Sequence, residues 1–600
     1  MVRKDGFALG MLFILLFFGV TAGWGQTSPP AFMKLSEVKA GMSGYGLTVF
    51  QGTQIDTFRV EVLGVMKNII YPKRDLIMVR VSGSYIDRAG VIAGMSGSPV
   101  YIDGRLVGAL AYSGFTQFQK DPIAAVTPIG EMLEIQAAAE RDAQTSDRMG
   151  ATDDQEMPGS SPFAGSEPQA GVPSLLRPIS VPLSVSGFDP RALSLFDGFF
   201  RRMGFIPLMG GGSGTSTSPA DGGVSSLVPG SAVAVQLVRG DMNIAATGTV
   251  TYRNGNTVLA FGHPFLWSGA VNIPMAKADI VTVIPDLSVS VKMGAVTDQV
   301  GAIRWDHTSG IYGILGATPM MIPVRVNFKS GGQQKDTYQY EVMVSRAFTP
   351  FLLNMTVSNT IVTNGRLGGE RTIELDGRVT MRGYPDIVLQ DLFSGSVTLQ
   401  SVSTSVTDVL NTVLDNPFVT PHVEAISLTM NSTDDRRTAT IEGVWYDRDE
   451  VRPGSTLGLT VFLKPYRGDR VVKKTTIPIP NTLTDGDLVI SVGAAQMLTQ
   501  QEVRTTPQRF RPQEVGQLIG LLNKRRTNNK IYIKLSQAAP GVIVKGTELP
   551  ALPPSILSVM ESKRSSGSFT PTREVVLAEH DIVTNYVISG QSQIRVRVKR

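Results

Sequence analysis

Short runs of alternating apolar and polar residues, separated by glycine turns, dominate this 600-residue sequence. Such alternation is typical of β-strands, and it is clearest at residues 337–345, where we expect an exposed strand. The spacing of amphipathic helices is scarce. It is clear at residues 511–526, where four apolar residues fall on one face of a predicted helix. The pattern therefore predicts a mainly β protein.

The most informative stretch, residues 94–99, reads Gly-Met-Ser-Gly-Ser-Pro and precedes an alternating segment around Asp103-Gly104. Asp-Gly between two such runs predicts a two-residue β-hairpin. A serine between small residues can lie on a tight turn with its hydroxyl exposed, and glycine lets backbone N–H groups converge where an oxyanion would form. Ser96 is therefore a candidate nucleophile, with the amides of Gly94 and Ser96 as a candidate oxyanion hole. The structural alternative is a turn whose serine caps a backbone group.

A serine nucleophile needs a base, and the sequence contains four histidines. His263 follows the apolar stretch Val-Leu-Ala-Phe-Gly of residues 258–262. A strand fixes an imidazole at its end, while the following loop leaves the ring open to substrate. The Asn-Gly pair at residues 254–255 predicts that this strand closes a hairpin. His263 is thus the candidate general base, and a hydrogen-bonded structural histidine is the alternative.

These two motifs resemble those of the SpoIVB-type sporulation peptidases, a family of chymotrypsin-like serine peptidases. The resemblance rests on the Gly-Met-Ser-Gly-Ser-Pro motif, on the strand, turn, strand and Gly-His block, and on the glycine-rich segment 308–316. It implies a β-barrel fold in which His263 takes the proton of Ser96. The family presents histidine before serine, whereas Ser96 comes first here. Because catalytic groups are defined by their spatial roles, this order predicts a permuted barrel.

Of the three catalytic roles, the acidic residue that would orient His263 has the weakest signal in the sequence. In the family an acidic residue lies shortly before the serine, whereas residues 80–85 contain no carboxylate here. The remaining candidates are Asp75, Asp87 and Asp306. Asp75 is preferred because it begins a buried-looking strand that leads toward Ser96. A Ser-His dyad without an acid remains open.

A second Gly-Met-Ser-Gly occurs at residues 41–44. It lacks the following proline and the Asp-Gly hairpin that would make the turn rigid. We interpret Ser43 as part of a glycine-rich entry into a first strand, and not as the nucleophile.

Two polar tracts divide the chain. Residues 140–173 and 210–226 lack the apolar side chains that a core needs, so they are expected to be disordered linkers. They separate the serine motif from the histidine motif. The expected units are a signal peptide at 1–25, a serine-bearing half at 31–139, linkers with a short apolar insert at 140–230, a histidine-bearing half at 231–400, a β-sandwich-like domain at 415–500 and an α+β C-terminal module at 501–600.

The first 25 residues have the pattern of an export signal, since Arg3 and Lys4 precede an apolar run at residues 7–20. That run is short for a membrane-spanning helix, so we expect cleavage and a periplasmic or extracellular protein. An N-terminal membrane anchor is the alternative. The sequence has no cysteine, which excludes disulfides and thiolate metal sites.

The net charge of +5 is spread thinly and forms no basic stripe interleaved with aromatic residues, so nucleic acid is not an expected partner. No metal-ligand or nucleotide-binding motif is present, and we expect neither a metal nor a cofactor. The favoured function is an exported serine endopeptidase. The family resemblance implies narrow or regulatory cleavage of a protein or peptide substrate. The alternative is a non-catalytic cell-envelope scaffold that keeps a peptidase-like barrel and binds protein or glycan through its C-terminal β modules.

Overall fold

In this computed structural model the described residues run from 31 to 600. The expected signal peptide and most of both expected linkers therefore lie outside the described residues. Inside this range, the residues that are not described are 71, 84, 115–120, 149–175, 211–226, 332–335, 366–368, 420, 482, 545–546, 550–552, 554, 557–559 and 561–568.

The N-terminal region is a closed barrel of six antiparallel strands. The barrel strands are β1 (Ser43–Gln51), β2 (Gln54–Met66), β3 (Leu76–Ser82), β4 (Pro99–Ile102), β5 (Arg105–Ser113) and β6 (Ile123–Pro128). They pair in the order β4-β1-β2-β3-β6-β5, and β5 closes the ring on β4. The short strand β7 (Arg177–Pro178) adds to β5. This barrel confirms the expected chymotrypsin-like architecture for the serine-bearing part of the chain.

A second closed ring of six antiparallel strands carries the histidine. It belongs to a sheet that begins with β8 (Val181–Ser186), β9 (Phe205–Met209), β10 (Ala232–Gly240), β11 (Asn243–Asn254), β12 (Thr257–Ala260), β13 (Gly269–Ile284), β14 (Val291–His307) and β15 (Gly310–Leu315). Within it, strands pair in the order β10-β13-β14-β15-β12-β11, and β11 returns to β10. The chain therefore folds into two consecutive barrels, with the serine in the first.

Both predicted hairpins are present. Asp103 and Gly104 join β4 to β5 with φ angles of 51° and 72°, the left-handed conformation that a two-residue turn of this kind needs. Gly255 and Asn256 join β11 to β12 directly after Asn254, and Gly255 has φ 56°. These turns fix the strands on which the two motifs are mounted.

The second sheet continues beyond its barrel. The added strands are β16 (Met321–Ser330), β17 (Asp336–Met343), β18 (Arg371–Met381), β19 (Ile387–Gly395) and β20 (Val423–Thr433). They extend the sheet from β10 in the order β17-β16-β20-β18-β19, and β16 pairs with β20 in parallel. The strand predicted at residues 337–345 corresponds to β17, but it is not exposed, because it lies between β16 and β10 with Tyr340, Val342 and Met343 buried.

Seven α-helices have both ends within the described residues. They are α1 (Ile86–Ala89), α2 (Ile129–Arg148), α3 (Pro190–Arg202), α4 (Phe348–Thr363), α5 (Thr398–Leu414), α6 (Ala495–Thr505) and α7 (Val515–Asn523). The helix predicted at 511–526 is present as the shorter α7. Among the helices of the described residues, none has the length and apolar content to cross a membrane.

The C-terminal region contains two sheets around one core. Its strands are β21 (Thr438–Tyr446), β22 (Glu450–Val451), β23 (Thr456–Pro465), β24 (Val471–Pro478), β25 (Gly486–Ala494), β26 (Lys530–Val544), β27 (Thr547–Leu549), β28 (Phe569–Val583), β29 (Val587–Ser589) and β30 (Gln591–Val598). One sheet has the order β24-β23-β21-β29, and the other β22-β30-β25-β26-β27 with β28 also on β26. The shared core takes apolar residues from both sides of residue 500.

Candidate active site

Ser96 lies in a tight turn directly before β4. Gly94 and Gly97 have φ angles of 94° and 91°, and the Ser98 N–H donates to the Met95 carbonyl at 3.0 Å, which closes the turn around the serine. The expected exposure of the hydroxyl is not observed, because Ser96 is fully buried. Ser43, by contrast, is exposed at the first residue of β1.

Threonines on β11 of the second barrel donate hydrogen bonds to the backbone carbonyl groups of the serine turn. The Thr249 N–H donates to the Ser96 carbonyl at 2.8 Å, and the Thr249 hydroxyl donates to the Gly94 carbonyl at 3.1 Å. The Thr251 hydroxyl donates to the Gly97 carbonyl at 2.7 Å. Sequence reasoning missed this clamp. Its signal was the alternation of threonines along β11, which are buried polar residues on an otherwise apolar strand.

His263 follows β12 on a backbone turn that packs against the first barrel. Phe261 and Gly262 both have φ 69°, and a Cβ on Gly262 would lie 2.8 Å from the Ala109 Cβ of β5. The Thr127 hydroxyl of β6 donates to the Gly262 carbonyl at 2.7 Å. This contact presses the histidine turn onto β5 and β6, and His263 itself is only 2% exposed.

Hydrogen bonding fixes the tautomer of His263. Its Nδ1 lies 2.8 Å from the Pro264 carbonyl oxygen, which can only accept, so Nδ1 carries the proton in the neutral ring. Nε2 therefore presents its lone pair. Burial lowers the pKa of His263 to about 4, and the backbone carbonyls of Pro264 and Ile179 act in the opposite direction. At neutral pH the ring is a neutral base.

The structure brings the serine and histidine turns to one junction between the barrels. Thr249, which binds the Ser96 carbonyl, also accepts the Phe261 N–H at 3.4 Å, two residues before His263. Among the described residues, neither the Ser96 Oγ nor the His263 Nε2 has a hydrogen-bond partner, although both are buried. The hydroxyl can donate and the Nε2 lone pair can accept, so the two unpaired groups are chemically complementary.

The acidic candidates are engaged elsewhere. The Asp75 carboxylate accepts the Asn68 N–H at 2.9 Å, and the Asp87 carboxylate accepts the Gly83 N–H at 3.0 Å. None of their hydrogen bonds within the described residues involves His263. The group that holds the Nδ1–H of the ring is the Pro264 carbonyl.

Asp306 holds the loop that follows His263. Its buried carboxylate accepts the backbone N–H groups of Phe265, Leu266 and Ser268 at 2.8, 2.6 and 3.1 Å. Burial raises the pKa of Asp306, and these N–H groups act in the opposite direction. Asp306 therefore fixes the loop and does not touch the ring.

Replacing Asp306 with asparagine is expected to lower the free energy of unfolding by about 2–4 kcal/mol, because an amide NH₂ would face backbone N–H donors. Urea unfolding measures the change. Asp298→Asn is the matched control on the same strand, where the carboxylate is 38% exposed and 3.5 Å from the Lys277 ammonium. It is expected to change stability by less than about 1 kcal/mol. Equal effects of the two substitutions would contradict this role of Asp306.

Lys292 is a buried cation that sequence reasoning missed. Its backbone N–H donates to the Ala93 carbonyl at 3.1 Å, and its stem packs on Gly94, where an added Cβ would lie 3.3 Å from the lysine Cδ. The ammonium donates to the Thr48 hydroxyl at 2.6 Å. Burial lowers the pKa of Lys292 to about 7, against a weaker opposing effect of Asp56. No motif marks this residue in the sequence.

One member of the candidate oxyanion hole is already bonded. The Gly94 N–H donates to the carbonyl of Ser180 at 3.3 Å. Ser180 lies between β7 and β8, where the chain passes from the first barrel to the second. A backbone carbonyl of the chain itself thus accepts the N–H that the sequence predicted to bind an oxyanion.

Comparison with known proteins identifies the serine-bearing part of the chain. No curated protein and no solved structure matches the sequence. Residues 27–120 match the family described as SpoIVB peptidase S55, and they include Ser96 but not His263. The first barrel, with its serine turn, is therefore similar over these residues to the SpoIVB peptidase S55 family.

Proposed function

We propose that this protein is an exported serine endopeptidase of the SpoIVB type in which Ser96 and His263 act as a dyad. The observation that carries the proposal is the pair of unpaired buried atoms, Ser96 Oγ and His263 Nε2. Buried polar atoms without partners are uncommon, and each one calls for a specific explanation, of which a catalytic role is one. Here one atom is a donor and the other an acceptor, as a nucleophile and its base must be.

The reaction follows from these groups. His263 Nε2 takes the hydroxyl proton as Ser96 Oγ forms a bond to the substrate carbonyl carbon, and the Pro264 carbonyl holds the Nδ1–H throughout. The amides of Gly94 and Ser96 stabilise the oxyanion. The imidazolium then gives its proton to the leaving amine as the C–N bond breaks. Water hydrolyses the acyl-serine by the same steps in reverse.

The family match supports a protein or peptide as the substrate, and the resemblance implies narrow or regulatory cleavage. The pattern of the first 25 residues supports export to the periplasm or beyond. The two C-terminal sheets stand apart from the dyad in sequence and are suited to binding a component of the cell envelope. The chemistry needs no metal or cofactor.

Labelling by a serine-directed fluorophosphonate tests the dyad. Ser96→Ala and His263→Ala are each expected to abolish labelling, because both groups act in one step. Ser43→Ala, which replaces an exposed serine in the other Gly-Met-Ser-Gly motif, is expected to leave labelling unchanged. Ser96→Ala is also expected to raise the free energy of unfolding by about 1 kcal/mol, because it removes a buried hydroxyl without a partner. A higher free energy of unfolding would show that Ser96→Ala is folded, so that its loss of labelling is not caused by unfolding.

The proposal fails if label persists in Ser96→Ala, or if no folded variant that retains Ser96 is labelled. In either case the non-catalytic scaffold becomes the better account. The complete burial of Ser96 and His263 is the observation that favours that alternative.

A further inference from the structure

An extended segment between the two barrels lies along β5, the second strand after the serine turn. We call residues 177–180 the strap. Arg177 and Pro178 pair antiparallel with Ser113 and Tyr112 of β5. The Ile179 N–H then donates to the Ala111 carbonyl at 2.9 Å. The strap is therefore bound by addition to a strand edge, the mode in which extended peptides bind to sheets.

The strap ends at the candidate active site. The Ser180 carbonyl accepts the Gly94 N–H. Pro182, just after the strap, packs against Gly94, since a Cβ added to Gly94 would lie 3.1 Å from the Cγ of Pro182. Burial lowers the pKa of His263, and the backbone carbonyl of Ile179 acts in the opposite direction. A backbone carbonyl thus lies at the oxyanion-hole amide, and the preceding residue lies beside the base.

The burial of the strap's side chains indicates which residue types the edge of β5 can bind. Ile179 is 2% exposed and belongs to the core of the first barrel, together with Met95 and Leu110. Ser180 is small and half-buried, whereas Arg177 and Pro178 are exposed. The groove along β5 therefore takes a branched aliphatic side chain, followed by a small residue at the carbonyl that faces Gly94.

We infer that the strap is an autoinhibitory segment that occupies the substrate groove of this peptidase, and that the substrate is an extended polypeptide with an aliphatic residue before a small one. The inference rests on the proposed function. The strap explains why Ser96 and His263 are buried, although the proposed enzyme must bring both residues into contact with a polypeptide substrate. The strap itself is not attacked in this arrangement, because Ser96 Oγ and His263 Nε2 do not hydrogen-bond to each other.

Loosening the strap should expose the serine. Ile179→Ala removes the anchoring side chain and is expected to raise the rate of fluorophosphonate labelling at Ser96 at least tenfold over wild type. Ile244→Ala on β11 is the matched control, because Ile244 is equally buried but belongs to the core of the second barrel. Its labelling rate is expected to stay within twofold of wild type. Ile179→Val, a smaller truncation, keeps the test available if the alanine variant does not fold, and its rate should be intermediate.

A peptide of residues 176–182 added in trans provides an independent measurement. It is expected to slow labelling of Ile179→Ala, whereas a peptide with the same residues in scrambled order is not. If wild type, Ile179→Val and Ile179→Ala are labelled at one rate, the strap is not inhibitory, although the proposed function stands. If hydrogen exchange shows that the Gly94 amide is freed in Ile179→Ala but Ser96 stays unlabelled, the proposed function itself fails.

Discussion

Replacing Gly97 with alanine is expected to remove more than about 4 kcal/mol of stability, enough to prevent folding in most conditions. A Cβ at this position would lie 2.0 Å from the Thr249 carbonyl oxygen and 2.5 Å from the Phe261 nitrogen. Both atoms belong to the backbone of the second barrel and cannot move aside without breaking strand pairing. Gly97 is therefore the point where the serine turn makes closest contact with the histidine-bearing barrel.

Gly104→Ala separates this steric effect from the effect of backbone conformation. Gly104 has φ 72°, and an added Cβ would have no neighbour within 4 Å. The control is expected to lose only about 1 kcal/mol, because alanine is strained in the left-handed region. Yield of folded protein and urea unfolding measure both variants. Similar losses would show that the two barrels do not depend on this contact.

Replacing Lys292 with methionine is expected to stabilise the protein in a pH-dependent way. Burial lowers the pKa of Lys292 from 10.5 to about 7, so the unfolded chain binds this proton more tightly than the folded one. Below pH 7 the lysine is charged in both states, and the folded state carries the full penalty, about 5 kcal/mol from the pKa difference. As pH rises from 7 to 10.5 the penalty disappears and the wild-type protein becomes more stable.

The gain from Lys292→Met is therefore expected to be largest at pH 6 and several kcal/mol smaller at pH 10, after a loss of about 1 kcal/mol for the hydrogen bond to Thr48. Urea unfolding at the two pH values measures it. Lys277→Met, on neighbouring β13, is the control, because its ammonium lies near the surface beside Asp298. It is expected to change stability by less than about 1 kcal/mol at both pH values. A gain from Lys292→Met that does not vary with pH would contradict this account.

Local sequence signals predicted much of the fold. The Asp-Gly and Asn-Gly pairs determine backbone conformation within two residues, so both hairpins could be read directly. The predicted strand at residues 337–345 is likewise present because alternation depends only on neighbouring positions. The helix predicted at 511–526 was too long, because its apolar spacing covers only residues 515–522 and does not define the ends of the helix.

The candidate site was predicted only in part, because its remaining contacts join distant positions. Ser96 and His263 carry recognisable motifs, whereas the Thr249 clamp and Lys292 act on the serine turn from more than 150 residues away. Asp306 was considered as an orienting acid from its position next to His307. Only the folded chain shows that its carboxylate accepts hydrogen bonds from the backbone of the loop that follows His263.

The order of the two barrels has a consequence for synthesis. A ribosome adds roughly 5–20 residues per second, so His263 is made on the order of 10–30 s after Ser96. During that interval Ser96 has neither its proposed base nor the strand that clamps its turn. Under the proposed function, the nascent protein is therefore unable to cleave other proteins until the second barrel has been made and has closed on the first.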